Sequence, residues 1–228
     1  MTLSSLNPPP APSVTDMVFK ALYDRIVSLE LPPGTKLSEA DVAAKLGVSR
    51  QPVRDAFYRL SQQGFLLIRP QRATTVRPIS AKAVFRARFI RTALEVEIMR
   101  TVLEVITDED LARLAANMDA QKKAVDEDDR ETFHALDDAF HRELCVIAGE
   151  PEVWQLIRDN KAHMDRVRFL SLGQGAQFAY DEHIEIFNAI RSGDPDTAIS
   201  EIRSHLMRIG KTIHQIRADH AEYFEDED

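Results

Sequence analysis

Sulfur chemistry is nearly missing from this chain: a single cysteine, Cys145, stands among 228 residues. That excludes an internal disulfide framework and any Cys-rich zinc module, and it fits a reducing compartment. Long apolar runs are missing as well. No stretch approaches the ~18 residues that a spanning helix needs, and the opening MTLSSLNPPPAPS has neither the basic start nor the apolar core of a secretory signal. These absences point to a cytoplasmic protein with no membrane partner. Hydrophobic residues at 44% and charged residues at 29% are too apolar a mixture for disorder, so the chain folds, as one large domain or two small ones.

Charge of one sign is unevenly spread. Residues 1–14 carry no charged side chain. Residues 15–78 hold ten Lys/Arg against six Asp/Glu, a balance of +4, whereas residues 79–228 hold nineteen against thirty-one, a balance of −12. A small basic module joined to a larger acidic one suggests a polyanion-binding head on a body with another task.

Residues 1–14, with Pro8, Pro9, Pro10 and Pro12, read as a flexible leader. From Thr15 to about Leu29, apolar residues recur at three and four (Val18, Ala21, Leu22, Ile26 and Leu29), which predicts an amphipathic helix ended by Leu31-Pro32-Pro33-Gly34. Ser38 starts a short helix that stops at Gly47, and Ser49 starts another over Arg50–Gln63, with Pro52 tolerated in its first turn. Phe65–Ile68 and Thr74–Arg77 then read as a small hairpin. After Pro78 everything reads helical: Ser80 to about Ile106, a segment capped at Thr107 and fading over Asp126–Arg130, then 131–148, 152–172, 177–192 and 195–220, with an acidic, frayed tail over 222–228. The fold class expected is mainly α, an N-terminal winged helix-turn-helix over 15–78 and a C-terminal all-α antiparallel helical bundle over 79–221.

Recognition of duplex DNA needs long donors on the first turn of a helix that enters the major groove. Here that turn is Ser49-Arg50-Gln51-Pro52-Val53-Arg54, with Arg50 and Arg54 on one face. Either arginine can contact guanine, Ser49 and the helix amides can hold a phosphate, and Val53, Phe57 and Leu60 point inward. Tyr58 and Arg59 remain for backbone contacts, and Arg69 and Arg72 can reach out from the wing. Two arginines that merely solvate a helix face are common; these follow Leu46-Gly47-Val48-Ser49 and precede a hairpin with its own arginines, which favours DNA.

The string from Leu31-Pro32-Pro33-Gly34 through Leu46-Gly47-Val48-Ser49-Arg50-Gln51-Pro52-Val53-Arg54-Asp55-Ala56 to Arg59-Leu60 resembles the DNA-binding domain of the GntR family of bacterial transcription regulators. The resemblance implies a homodimer on a palindromic double-stranded operator, with Arg50 and Arg54 contacting DNA. Family wings usually carry a glycine at the tip; this chain has Pro70-Gln71-Arg72-Ala73.

In the acidic body, helical phase sorts seven histidines. On 131–148 the apolar stripe Phe133, Leu136, Phe140, Leu144 and Ile147 includes Asp137, with His141 on its flank. His183 falls among Ile186, Phe187 and Ile190, and His205 among Ala198, Ile202, Ile209 and Ile216. A lone buried histidine is usually a hydrogen-bonded core residue. Three with a buried carboxylate form an N/O ligand set for a divalent metal ion, zinc or nickel, because a buried Asp must be compensated.

The body also resembles the all-helical (FCD) ligand domain of the FadR-like branch, through Arg91-Thr92-Ala93-Leu94-Glu95, Asp137-Asp138-Ala139-Phe140-His141, Glu182-His183-Ile184 and His205-Leu206. That resemblance implies metal ligands at Asp137, His141, His183 and His205, and a small organic acid beside the ion held by Arg91. Arg91 could equally pair with Glu95, one turn on. Where many members carry asparagine after Ala148-Gly149, this chain has Glu150. The reading that follows is a non-enzymatic regulator, most simply a repressor, whose operator binding responds to a carboxylate effector. The rivals are the same regulator with a metal-free structural core, and a metallohydrolase with an accessory winged helix, which lacks an identifiable base.

Overall fold

The computed structural model describes residues 12–69 and 71–226, so the expected leader, Pro70 of the wing tip and the last two residues lie largely or wholly outside the description. The described residues divide into two compact units, one of residues 12–78 with 222–226 and one of residues 79–221.

In the first unit, α1 spans Val14–Val27 and starts earlier than periodicity alone implies. Ser13 is the reason: its hydroxyl accepts from the Asp16 amide at 3.1 Å while its own amide donates to the Asp16 carboxylate, a reciprocal cap. Residues 13 and 14 thus belong to the helix and not to a leader. α1 buries Val18, Leu22 and Ile26 and packs on α3 (Arg50–Gln62), which buries Val53, Phe57 and Leu60. Between them, α2 (Glu39–Leu46) is capped by Ser38 and closed by Gly47 in the left-handed conformation.

The wing differs from a two-stranded hairpin. Strands β1 (Lys36–Leu37), β2 (Leu66–Leu67) and β3 (Thr74–Val76) form an antiparallel sheet in the order β1-β3-β2, with Lys36 opposite Thr75 and Leu66 opposite Val76. The extra strand, two residues long, is too short for alternation to reveal; it is held by the amide of Gly34 donating to Val76 O at 2.8 Å. Gln71 sits at φ 58 beside the wing tip, a left-handed position where a glycine would be unstrained. Of the tail expected to fray, residues 222–226 are described and pack: Phe224 is buried and the Glu225 carboxylate lies 3.3 Å from Arg77.

The second unit contains α4 (Ala81–Val105), α5 (Asp108–Asp126), α6 (Arg130–Ile147), α7 (Pro151–Ser192), α8 (Pro195–Met207) and α9 (Ile209–Asp219). Thr107 and Asp110 close a capping box at α5, Asp129 caps α6, and Asp194 with Pro195 opens α8. Two expectations are corrected. Helices 152–172 and 177–192 form one element of 42 residues. It cannot be straight: Lys161 Nζ is 2.8 Å from Asp138 and His183 Nε2 is 3.6 Å from Asp137, neighbouring residues of α6. Twenty-two residues of straight helix would separate them by ~33 Å, so α7 curves between these contacts while staying helical throughout. Conversely, the helix expected over 195–220 divides at Arg208 into α8 and α9.

The core is formed by Met99, Val102, Leu114, Phe140, Leu144, Ile157, Ile186, Ile202 and their neighbours, and it includes Cys145, whose free thiol is fully buried. Burial pushes that thiol up to about 12. Leu114, with no exposed surface, is a sensitive reporter of this packing. Leu114→Ala should lower stability by about 2–5 kcal/mol in urea unfolding, whereas Leu156→Ala, at an exposed position on α7, should change it by less than about 0.5 kcal/mol.

Candidate functional site

Two sets of side chains carry the chemistry, one in each unit. In the first, Arg50 and Arg54 sit one turn apart on α3 and are exposed. Both lean on Glu39 at the start of α2: Arg50 Nη2 is 3.5 Å and Arg54 Nη2 3.2 Å from Glu39 Oε2. Ser49 stands at the helix cap but its hydroxyl makes no capping bond, and Gln51 donates to Asp55 at 2.9 Å. Arg69 and Arg72 are exposed on either side of the wing tip, and Tyr58 is exposed on α3. Arg59 has partners that the sequence did not show. Its guanidinium is 2.7 Å from Asp16 and 4.3 Å above the Phe19 ring, so the side chain stays exposed but leans across to α1.

In the second unit, Asp137 and His141 of α6, His183 of α7 and His205 of α8 converge, with one ligand atom from each lying within 4.8 Å of all the others. The apolar stripes of these helices bring them there: Phe133, Phe140 and Leu144 carry Asp137 inward, and Ala198, Ile202 and Leu206 do the same for His205. The Nε2 of His205 is 3.3 Å from the Nε2 of both His183 and His141. Each ring's other nitrogen faces an oxygen: His141 Nδ1 lies 2.5 Å from Glu95, His183 Nδ1 2.8 Å from Gln121 Oε1, and His205 Nδ1 2.7 Å from Glu182. Gln121 is itself fixed by donating to Asn117 at 2.6 Å.

Those outer oxygens assign the ring protons to Nδ1 and leave the Nε2 lone pairs pointing at one another. Lone pairs at 3.3 Å repel unless a cation lies among them. Two nitrogens each ~2.0–2.1 Å from a common ion stand roughly 3 Å apart, so the residues present fit a divalent metal. Burial and the neighbouring imidazoles hold the His183 pKa well below its ordinary value, and burial with His141 does the same for His205. Burial opposes the Asp137 charge, but Arg168, with a nitrogen 2.6 Å away, and the surrounding cations hold its carboxyl well below the usual range.

A pocket of about 530 Å³ adjoins the cluster. His205, Arg91, Arg168 and Arg208 line its charged part, and Phe133, Met164, Leu206, Ile209 and Ile216 line its apolar part. Arg91 is buried in an ion pair with Glu95, its Nη2 has no hydrogen-bond partner, and the residue borders the pocket. Glu95 is driven down to about 2 because Arg91 and His141 outweigh its burial. Arg168, Arg208, Gln121 and Glu182 escaped sequence reasoning; a charged residue on an otherwise inward phase, as at Arg168, was the available signal. Glu150 stands at the cap of α7 without a side-chain capping bond.

Residues 14–76 match the family described as bacterial regulatory proteins, gntR family, and residues 87–208 match the FCD domain. The chain is 34% identical over 220 residues, 96% of each chain, to the HTH-type transcriptional repressor RspR of Escherichia coli strain K12. It is 28% identical over 231 residues to the HTH-type transcriptional repressor NanR of Salmonella newport, covering 89% of this chain and 86% of that one. Among solved structures, E. coli McbR/YncC shares the fold with a TM-score of 0.74 at 21% identity, over 89% of this chain and 98% of that one. A winged helix-turn-helix followed by an all-helical sensor domain defines a DNA-binding transcription regulator. The chain belongs to the GntR family of bacterial regulatory proteins, in its FadR-like, FCD-bearing branch.

The depressed histidines predict a pH dependence. Below pH ~6.5 the unfolded chain protonates His183 and His205 while the native cluster resists. Their contribution is therefore complete above that pH and is lost as pH falls. In urea titrations of chelator-stripped protein between about pH 7.5 and 5.5, stability should decline with a slope approaching about 1.4 kcal/mol per unit for each histidine. His183→Gln and His205→Gln should flatten that slope.

Proposed function

We propose that this chain is a metal-dependent repressor that binds a palindromic operator as a homodimer and answers to a small carboxylate. The observation that carries the proposal is the convergence of three Nε2 atoms and a carboxylate on one point, each imidazole oriented from outside. Asp137, His141, His183 and His205 would hold the ion, with zinc or nickel suited to this N/O set. A bound ion would supply a Lewis-acid point for one carboxylate oxygen. Arg91, through its unpaired Nη2, would take the other, and Arg168 and Arg208 make the surrounding wall cationic. The effector acts by binding one arrangement of the dimer better than another, which shifts the population between operator-binding and released forms. Ser49, Arg50 and Arg54 read the operator, with Arg69 and Arg72 reaching from the wing. Among the described residues no helix is long and apolar enough to cross a membrane, and a regulator of chromosomal operators works in the cytoplasm.

Metal analysis of protein purified without chelator tests the centre: about one zinc or nickel per chain is expected, lost in Asp137→Asn and His183→Gln. Absence of metal, with no uptake on addition, leaves the metal-free regulator as the reading. For the effector, a panel of small carboxylates should raise the melting temperature of the metal-loaded protein, and Arg91→Lys, which keeps a cation opposite Glu95 but removes the free Nη2, should abolish that rise. For DNA, Arg50→Ala and Arg54→Ala should each weaken operator binding by about 1–3 kcal/mol in fluorescence anisotropy without lowering the melting temperature.

A further inference from the structure

A carboxylate stands where the protein meets a polyanion. Glu39 is the first helical residue of α2, yet its side chain turns to α3 and spans both arginines of the recognition face. Its two oxygens lie 3.4 and 3.3 Å from Arg54 Nε, Oε2 lies 3.2 Å from Arg54 Nη2, and the same Oε2 lies 3.5 Å from Arg50 Nη2. The arginine side chains are 64% and 58% exposed, while that of Glu39 is 27% exposed. The acid is thus the better anchored partner, and the arginines lean on it.

We propose that Glu39 is a positioning residue for DNA reading: it pre-sets the two recognition arginines and penalises their capture by phosphates. An arginine carries donors on more than one edge of its planar fork. With the Nε–Nη2 edge of Arg54 engaged by Glu39, its other edge remains for the two acceptors of a guanine in the major groove. Long, exposed side chains otherwise sample many rotamers and lose that freedom only on binding. A backbone phosphate, by contrast, competes directly for the engaged edge and meets the Glu39 charge at close range. Phosphate contacts supply affinity without sequence information, so a carboxylate here lowers binding everywhere except where base edges repay it. The consequence is selectivity at the expense of gross affinity. A merely structural role is the alternative, since an acid in a first helical turn also favours the helix dipole; that role would appear in the melting temperature and leave selectivity unmoved.

The test uses the full chain, a duplex selected by the wild-type protein from a randomised pool, and a random-sequence duplex of equal length. Glu39→Gln keeps the shape and removes the charge. Affinity for the random duplex should rise roughly fivefold at moderate salt, and its salt dependence should steepen by about one phosphate equivalent. The ratio of selected to random affinity should fall roughly tenfold, with the melting temperature little changed. Glu39→Asp, which retains the charge one methylene shorter, should recover part of the ratio and keeps the test available if the glutamine variant folds poorly. An unchanged ratio in folded Glu39→Gln overturns the proposal. So does reselection from the randomised pool that shows relaxed preference at a single base pair only, because that pattern belongs to a glutamate accepting from cytosine directly.

Discussion

Imidazole lone pairs and a carboxylate facing one point inside an apolar core must be neutralised where they stand, because no solvent is there to do it. The arrangement of the helical unit follows from that requirement. α6 brings Asp137 and His141, α7 brings His183 and Arg168, and α8 brings His205. α4 and α5 contribute no inward ligand, yet each supplies an outer oxygen, Glu95 and Gln121, that fixes a ring from behind. Five helices are therefore referred to a single point. α9 stands outside this scheme and forms pocket wall instead. Hydrophobic packing would permit small slides of helix on helix; hydrogen bonds that must each meet a particular ring nitrogen do not.

The two units treat charge in opposite ways. In the helical unit, arginines at positions 91 and 168 are opposed by buried carboxylates, so moving one leaves an unpaired ion behind. In the winged unit, the arginines of the recognition face are solvated, and exposed pairs such as theirs contribute little to stability. One set is held in buried ion pairs, and the other is paired at the surface. The basic and acidic balances of the two sequence segments are the coarse trace of this contrast.

Much of this was legible in the linear chain, for definable reasons. Helix phase put Asp137, His183 and His205 on inward stripes because burial of a stripe and the 3.6-residue repeat are the same fact seen twice. Ser38, Thr107 and Asp194 announced helix starts through cap chemistry that is local in sequence. The misses were of two kinds. β1 is two residues long, beneath the reach of any period. The roles of Arg168 and Glu182 depend on partners 31 and 23 residues away, in the Arg168–Asp137 pair and the His205–Glu182 bond. The pairing of Arg59 with Asp16 and Phe19 was not legible either, because a residue on an outward phase of its own helix can still meet side chains of a neighbouring one.

The lone sulfhydryl is withdrawn from chemistry by its place in the fold. Cys145 lies on the same helix as Asp137 and His141, is fully enclosed, and has its pKa raised to about 12 by burial, with Glu95 adding to the effect. Oxidants attack the thiolate, and at neutral pH this group is almost wholly protonated and out of reach. Peroxide or electrophile stress therefore has no handle on Cys145, which serves the core as a small hydrophobe.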